Sequence, residues 1–187
     1  MVIDEKGLLA AMKDAYKLDG YKVAVEDSAG VENVILSTGA WTVVILKSAL
    51  PRKVLGMIAE HIGDIPKPGT AYQVKKKETQ TEIFSMVAGI PMEFHSGEKP
   101  MRIVRRTSLT LGGAPLWQAA TGQRVVTVNP DYEDIIRWWG CTVRLVGDDV
   151  LMADDEVSRA YILCVTPKEE QKRVQLEHLA KIQWVSE

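Results

Sequence analysis

The sequence predicts an α+β protein in which two similar α-β-β-β-α units, residues 1–63 and 131–187, flank a β-hairpin-rich middle over 64–130. Three observations predict it. Residues 41–46 form a nearly unbroken apolar run rich in β-branched side chains, suited to a central strand, and feed directly into an amphipathic stretch that ends at Ile62. The same order of elements recurs near the C-terminus. Between the two ends, short alternating segments are punctuated by Gly89, Ser96-Gly97, Gly112-Gly113 and Thr121-Gly122, which is hairpin chemistry. With 46% apolar residues in a chain of 187, there is ample material for a core, whether in separate units or in one compact domain.

Taken in order, residues 4–18 read as a helix because Leu8, Met12 and Tyr16 stack at i, i+4 and i+8, with Asp4 as its cap. Asp19-Gly20 ends it, and YKVAVE alternates into a strand whose Val23 and Val25 face inward. Ser28-Ala29-Gly30 is a turn, VENVILS a second strand, and Thr38-Gly39 a further turn. After the third strand, Ser48 offers a helix cap and Pro51 suits a first turn. Leu50, Val54, Leu55, Ile58 and Ile62 then share one helical face. GDIPKPGT, with its prolines and glycines, is a connector. Beyond the middle, DYEDIIRWW reads as a short helix stopped by Gly140. CTVRLV, VLMAD and RAYILCV read as strands, and a last helix runs from Thr166-Pro167 through Trp184.

Laid side by side without a gap, Asp14, Lys17, Gly20, Val23 and Val25 fall against Asp134, Arg137, Gly140, Val143 and Leu145, and Ser48 and Thr166 occupy matching cap positions. Internal duplication is one explanation; chance likeness between two units of one topology is the other.

The net charge of −2 provides no global attraction to nucleic acid or an anionic surface, but the charge is unevenly spread. Residues 64–130 carry nine basic and five acidic side chains, and residues 131–187 carry seven and twelve. No apolar stretch approaches the ~20 residues of a membrane span, and MVIDEKGLL lacks the basic start and small-residue cleavage site of a signal peptide. The expectation is a cytoplasmic protein with no membrane contact. Cys141 and Cys164 lie in apolar strand-like runs and are expected to be reduced and buried.

The motifs do not specify a reaction. His95-Ser96-Gly97-Glu98-Lys99-Pro100 resembles the linker between two-Cys, two-His zinc fingers, but no cysteine pair precedes it, so it reads as a hairpin turn. His61 and His178 fall late in helices, where the C-terminal dipole favours them. Asp148-Asp149 with Asp154-Asp155-Glu156 lacks the loop spacing of a calcium site and reads as solvated turns. The α-β-β-β-α order is similar to the core of restriction-endonuclease-like nucleases. Lys47 matches that pattern, but Ile45 stands where the carboxylate belongs, and the second copy has Leu163 and Val165 there. The order also resembles double-stranded RNA-binding domains. Arg52 and Lys53 fit in type, whereas Lys168 is followed by Glu169 and Glu170.

The remaining candidates are Arg102, Arg105 and Arg106, which strand alternation divides between two faces, and the pair Trp138-Trp139. Neighbours on a helix lie about 100° apart, so the two tryptophans cannot share one core contact; burial of both under the β-rich middle is the first expectation, and a place for one of them in a protein interface is the second. The reading is a non-enzymatic interaction protein without a cofactor, a bacterial or phage-encoded regulator or inhibitor whose partner is another protein. Nucleic-acid binding through the basic middle is the alternative, and an enzyme whose residues converge only in three dimensions is the third.

Overall fold

Asp4 caps the first helix, α1 (Glu5–Lys17): its Oδ1 accepts the backbone N–H groups of Lys6 and Gly7 at 2.9 and 3.0 Å. The structure, a computed structural model, describes residues 1–83, 100–120 and 124–179. From α1 the chain turns at Gly20, whose φ of +84° favours glycine and whose missing side chain leaves room for the Val74 carbonyl. It then makes an antiparallel meander of β1 (Tyr21–Ser28), β2 (Val31–Ser37) and β3 (Trp41–Leu46).

A 3-10 turn over Lys47–Ala49 leads into α2 (Arg52–Ile62). Ser48 is therefore not the cap expected of it; Pro51 holds the cap position, without a side-chain hydrogen bond. The buried face of α2 is Val54, Met57 and Ile58, while Leu55, expected on that face, is 38% exposed.

The connector at 63–69 is irregular, as its prolines and glycines predict. β4 (Thr70–Lys75) and β5 (Glu78–Ile83) form a hairpin across Lys76 and Lys77. β6 (Met101–Leu111) and β7 (Ala114–Ala119) form another across Gly112 and Gly113, and β8 (Val125–Val128) follows. The turns expected at Gly89, Ser96-Gly97 and Thr121-Gly122 lie outside the described residues.

A single turn, α3 (Pro130–Glu133), and a 3-10 turn at Trp138–Gly140 precede β9 (Val143–Val146), β10 (Val150–Asp154), β11 (Ser158–Val165) and α4 (Glu169–Leu179). The nine-residue helix expected over 131–139 is thus corrected to one turn, because its backbone bonds elsewhere. Ile135 O accepts Asp4 N at 2.9 Å, Arg137 N donates to Val2 O at 2.8 Å, and Ile3 bridges Ile136. These tertiary bonds occupy groups that a longer helix would use internally. Thr166 is not a helix cap either; its Oγ1 donates to Asp148 O. The remainder of the expected terminal helix, beyond Leu179, lies outside the described residues.

The described strands join in one antiparallel sheet, in the order β10-β9-β6-β7-β8-β11-β3-β2-β1-β4-β5, and β10 also pairs with β11. That last pairing closes a circuit of six strands, β11-β10-β9-β6-β7-β8, so one end of the sheet is a small barrel and the other an open sheet. β11 belongs to both. On one edge its Ser158–Ile162 segment pairs with β3 and its last residues, Cys164 and Val165, with β8; on the other edge it pairs with β10.

One continuous core fills the barrel and lies under the helices. Val104, Trp117, Val126, Leu145, Leu151 and Ile162 point into the barrel, and Leu8, Met12, Val54 and Ile58 of the helices pack on Val23, Val25, Leu36 and Val43 of the open sheet. Ile135 and Ile136 belong to the same cluster. The molecule is therefore α+β, with helices and a large antiparallel sheet. No helix among the described residues is long and apolar enough to cross a membrane.

Cys164 is buried, and burial pushes its thiol up to about 12. Cys141 differs from expectation: it is half-buried, lies in the turn before β9, and directs its thiol to Arg137 O at 3.1 Å. Both are free cysteines.

Candidate protein-binding face

Arg106 and Trp117 are cross-strand neighbours on β6 and β7, so alternation places both side chains on the barrel-facing side at one end of the barrel. Glu133, the last residue of α3, reaches the same place. Its Oε1 accepts hydrogen bonds from Arg106 Nε at 2.9 Å and from Trp117 Nε1 at 2.9 Å. Glu133 is only 7% exposed at the side chain and Arg106 32%, so a nearly buried carboxylate is compensated by a cation that reaches solvent.

Trp138 completes the cluster. The Arg106 guanidinium lies 5.0 Å from its ring centroid, and Trp117 meets it edge-on at 6.3 Å. Trp139 stands edge-on to Trp138 at 5.5 Å and 86° and is 64% exposed, so the expected burial of both rings is corrected: of the two, Trp138 alone packs against the core. The 3-10 turn explains the divergence: successive residues point about 120° apart, so one ring turns to the barrel and the other to solvent.

Beside Trp139 runs a groove of about 540 Å³ between α1 and the 130–139 segment. Gly7, Ala10, Pro130 and Trp139 supply its apolar surface; Asp4, Asp14, Asp131 and Asp134 supply carboxylates, and Lys6 a cation. Gly7 sets its width, because α1 packs so closely on the Asp134 carbonyl that any side chain there would overlap it.

The sequence-derived candidates separate accordingly. Arg106, Trp138 and Trp139 come together. Arg102 shares the face of Arg106, but its Nη1 points to Gly147 O at 3.5 Å, and Arg105 emerges on the opposite face as alternation requires. Glu133, Trp117 and the groove aspartates escaped the sequence reading.

A second cluster joins the two helices to β1. Tyr16 stacks on His61 at 4.1 Å, and the buried Tyr21 hydroxyl lies 2.7 Å from His61 Nδ1. Burial raises the Tyr21 phenol above its ordinary value, and burial lowers His61 despite the opposing effect of Glu60. This arrangement holds α1, α2 and β1 together.

Three residues of the acidic runs at 148–149 and 154–156 are tied into ion pairs: Asp148 with Arg124, Asp154 with Arg144, and Asp155 with the N-terminal amine. Burial alone would raise Asp155, but hydrogen bonds from the amine, Ser158 and Val157 hold it below the usual carboxylate range. Among the described residues no group of three His, Cys, Asp or Glu side chains is arranged to hold a metal. No family model, curated protein or solved structure matches the chain.

Proposed function

We propose that this chain is a non-enzymatic protein-binding module, a regulator or inhibitor whose contact with its partner is anchored by Trp139. The observation that carries the reading is the exposure of Trp139 on a rigid support. Its neighbour Trp138 is fixed by Trp117 and Arg106, and those in turn by the nearly buried Glu133. Large aromatic side chains held in place before binding lose little entropy on association and dominate interface energies. Nucleic-acid binding through Arg102, Arg105 and Arg106 has weaker support, because Arg106 is engaged by Glu133 and Trp138 and the trio divides between two faces.

The same reading includes an origin by duplication. In its favour, β1-β2-β3 and β9-β10-β11 are both antiparallel meanders, and their third strands pair with each other. Against a close match, the one-turn α3 stands where α1 has thirteen residues.

Photocrosslinking tests the anchor. A benzophenone amino acid placed at position 139 in cells that make the protein should yield a discrete adduct with another protein. The same group at Leu18, which is 66% exposed, serves as the control and should not form that adduct. Absence of an adduct at 139, or the same adduct from both positions, contradicts the reading.

A further inference from the structure

Building on Trp139 as a partner anchor, we infer that the groove between α1 and the 130–139 segment docks a basic segment of the partner protein. A lysine or arginine side chain lies over the Trp139 ring, and apolar side chains rest on Ala10 and Pro130. The groove is an open trough of about 540 Å³ with an apolar base, a shape that accepts side chains projecting from a chain laid along it.

Its charge selects the sign of that chain. Four aspartates line the trough against the single Lys6. Two of them are partly compensated: Asp4 caps α1 and lies 3.6 Å from Arg137, and Asp14 pairs with Lys17 at 3.0 Å. Asp131 and Asp134 are exposed and form no ion pair among the described residues, so the negative field is concentrated beside Trp139. A cation entering there meets both the ring face and the carboxylates, while an acidic segment meets like charge.

The arrangement is fixed in advance. Gly7 seats α1 directly on the Asp134 carbonyl, and Trp139 rests on Trp138. This surface is separate from the basic middle of the chain and calls for a partner of the opposite charge to the one that Arg102, Arg105 and Arg106 would favour.

Titration calorimetry with two short synthetic peptides tests the inference. One alternates leucine with lysine and arginine, and the other carries glutamate at every basic position. The basic peptide should bind the full chain and bind more weakly as salt rises. Its affinity should fall at least tenfold in Trp139→Ala, and at least tenfold in the double variant Asp131→Lys, Asp134→Lys. All of these positions are exposed, and unchanged melting curves will show that the variants fold.

No binding of the basic peptide, equal binding of the acidic one, or indifference to the charge reversal overturns the basic-segment inference while leaving the position-139 crosslink standing. A Trp139-dependent dimer in sedimentation would assign the face to a second copy and overturn it as well. Loss of the position-139 adduct alongside retained peptide binding would instead count against the anchor reading alone.

Discussion

Trp117 and Arg106 donate to the same oxygen of Glu133, each at 2.9 Å, so one nearly buried carboxylate ties β6, β7 and α3 together beneath the exposed Trp139. Removing that acceptor leaves a buried indole N–H unsatisfied and frees a cation packed against Trp138. Glu133→Ala should therefore destabilise the fold by about 3 kcal/mol in urea titration, and the access of Arg106 to solvent keeps the loss from being larger. Glu133→Gln retains an oxygen for the indole and should lose only about 1 kcal/mol. Equal losses in the two variants would mean that the hydrogen bond to Trp117 contributes nothing.

Glycines at two helix positions should respond with opposite sign. Gly7→Ala forces a methyl group into the Asp134 carbonyl, with Ile135 N only 2.9 Å away, and should cost about 3 kcal/mol. Gly56, in α2, has open space around its Cα, and Gly56→Ala should add about 0.5–1 kcal/mol through helix propensity. Thermal denaturation of the two variants measures both, and a stabilising Gly7→Ala would contradict the close packing of α1 on α3.

Lys77 closes the β4–β5 hairpin with φ of +75°, a left-handed conformation that costs an L-residue with a side chain about 1 kcal/mol. Lys77→Gly should raise stability by about that amount, read as a shift of the denaturation midpoint. A loss would show that the lysine side chain contributes more than its backbone costs.

His61 should make stability depend on pH. Folding lowers its pKa below 6.5, chiefly through burial, so the unfolded chain takes up the proton first as the solution is acidified. The contribution is complete above the ordinary value and is lost as pH falls from there through the lowered folded value. The charged and titratable groups facing the ring are Tyr16 on α1, Tyr21 on β1 and Glu60 on α2. Urea midpoints should drop as the pH falls below about 6.5 in the wild type, and His61→Gln should flatten that drop.

Local chemistry determined much of this protein from sequence alone. The Asp4 cap, the Gly20 exit, the turns at Ala29-Gly30 and Gly112-Gly113 and the inward Val23 and Val25 depend on a residue and its near neighbours, so spacing and side-chain type sufficed. The divergence of Trp138 and Trp139 was legible for the same reason, because adjacent residues in any tight helical turn point apart, but the exposure of Trp139 was not, since burial depends on what the rest of the chain brings over it. Tertiary structure decided the rest. DYEDIIRWW has a helical pattern, yet bonds to Val2 and Asp4, more than a hundred residues earlier in the chain, hold it open after one turn. The pairings of β6 with β9 and of β8 with β11 that complete the barrel, the sharing of β11 between barrel and open sheet, and the meeting of Arg106, Trp117 and Glu133 depend on long-range pairing. Strand partners at that separation are selected by the total burial of a shared core, a quantity that no local window of sequence contains.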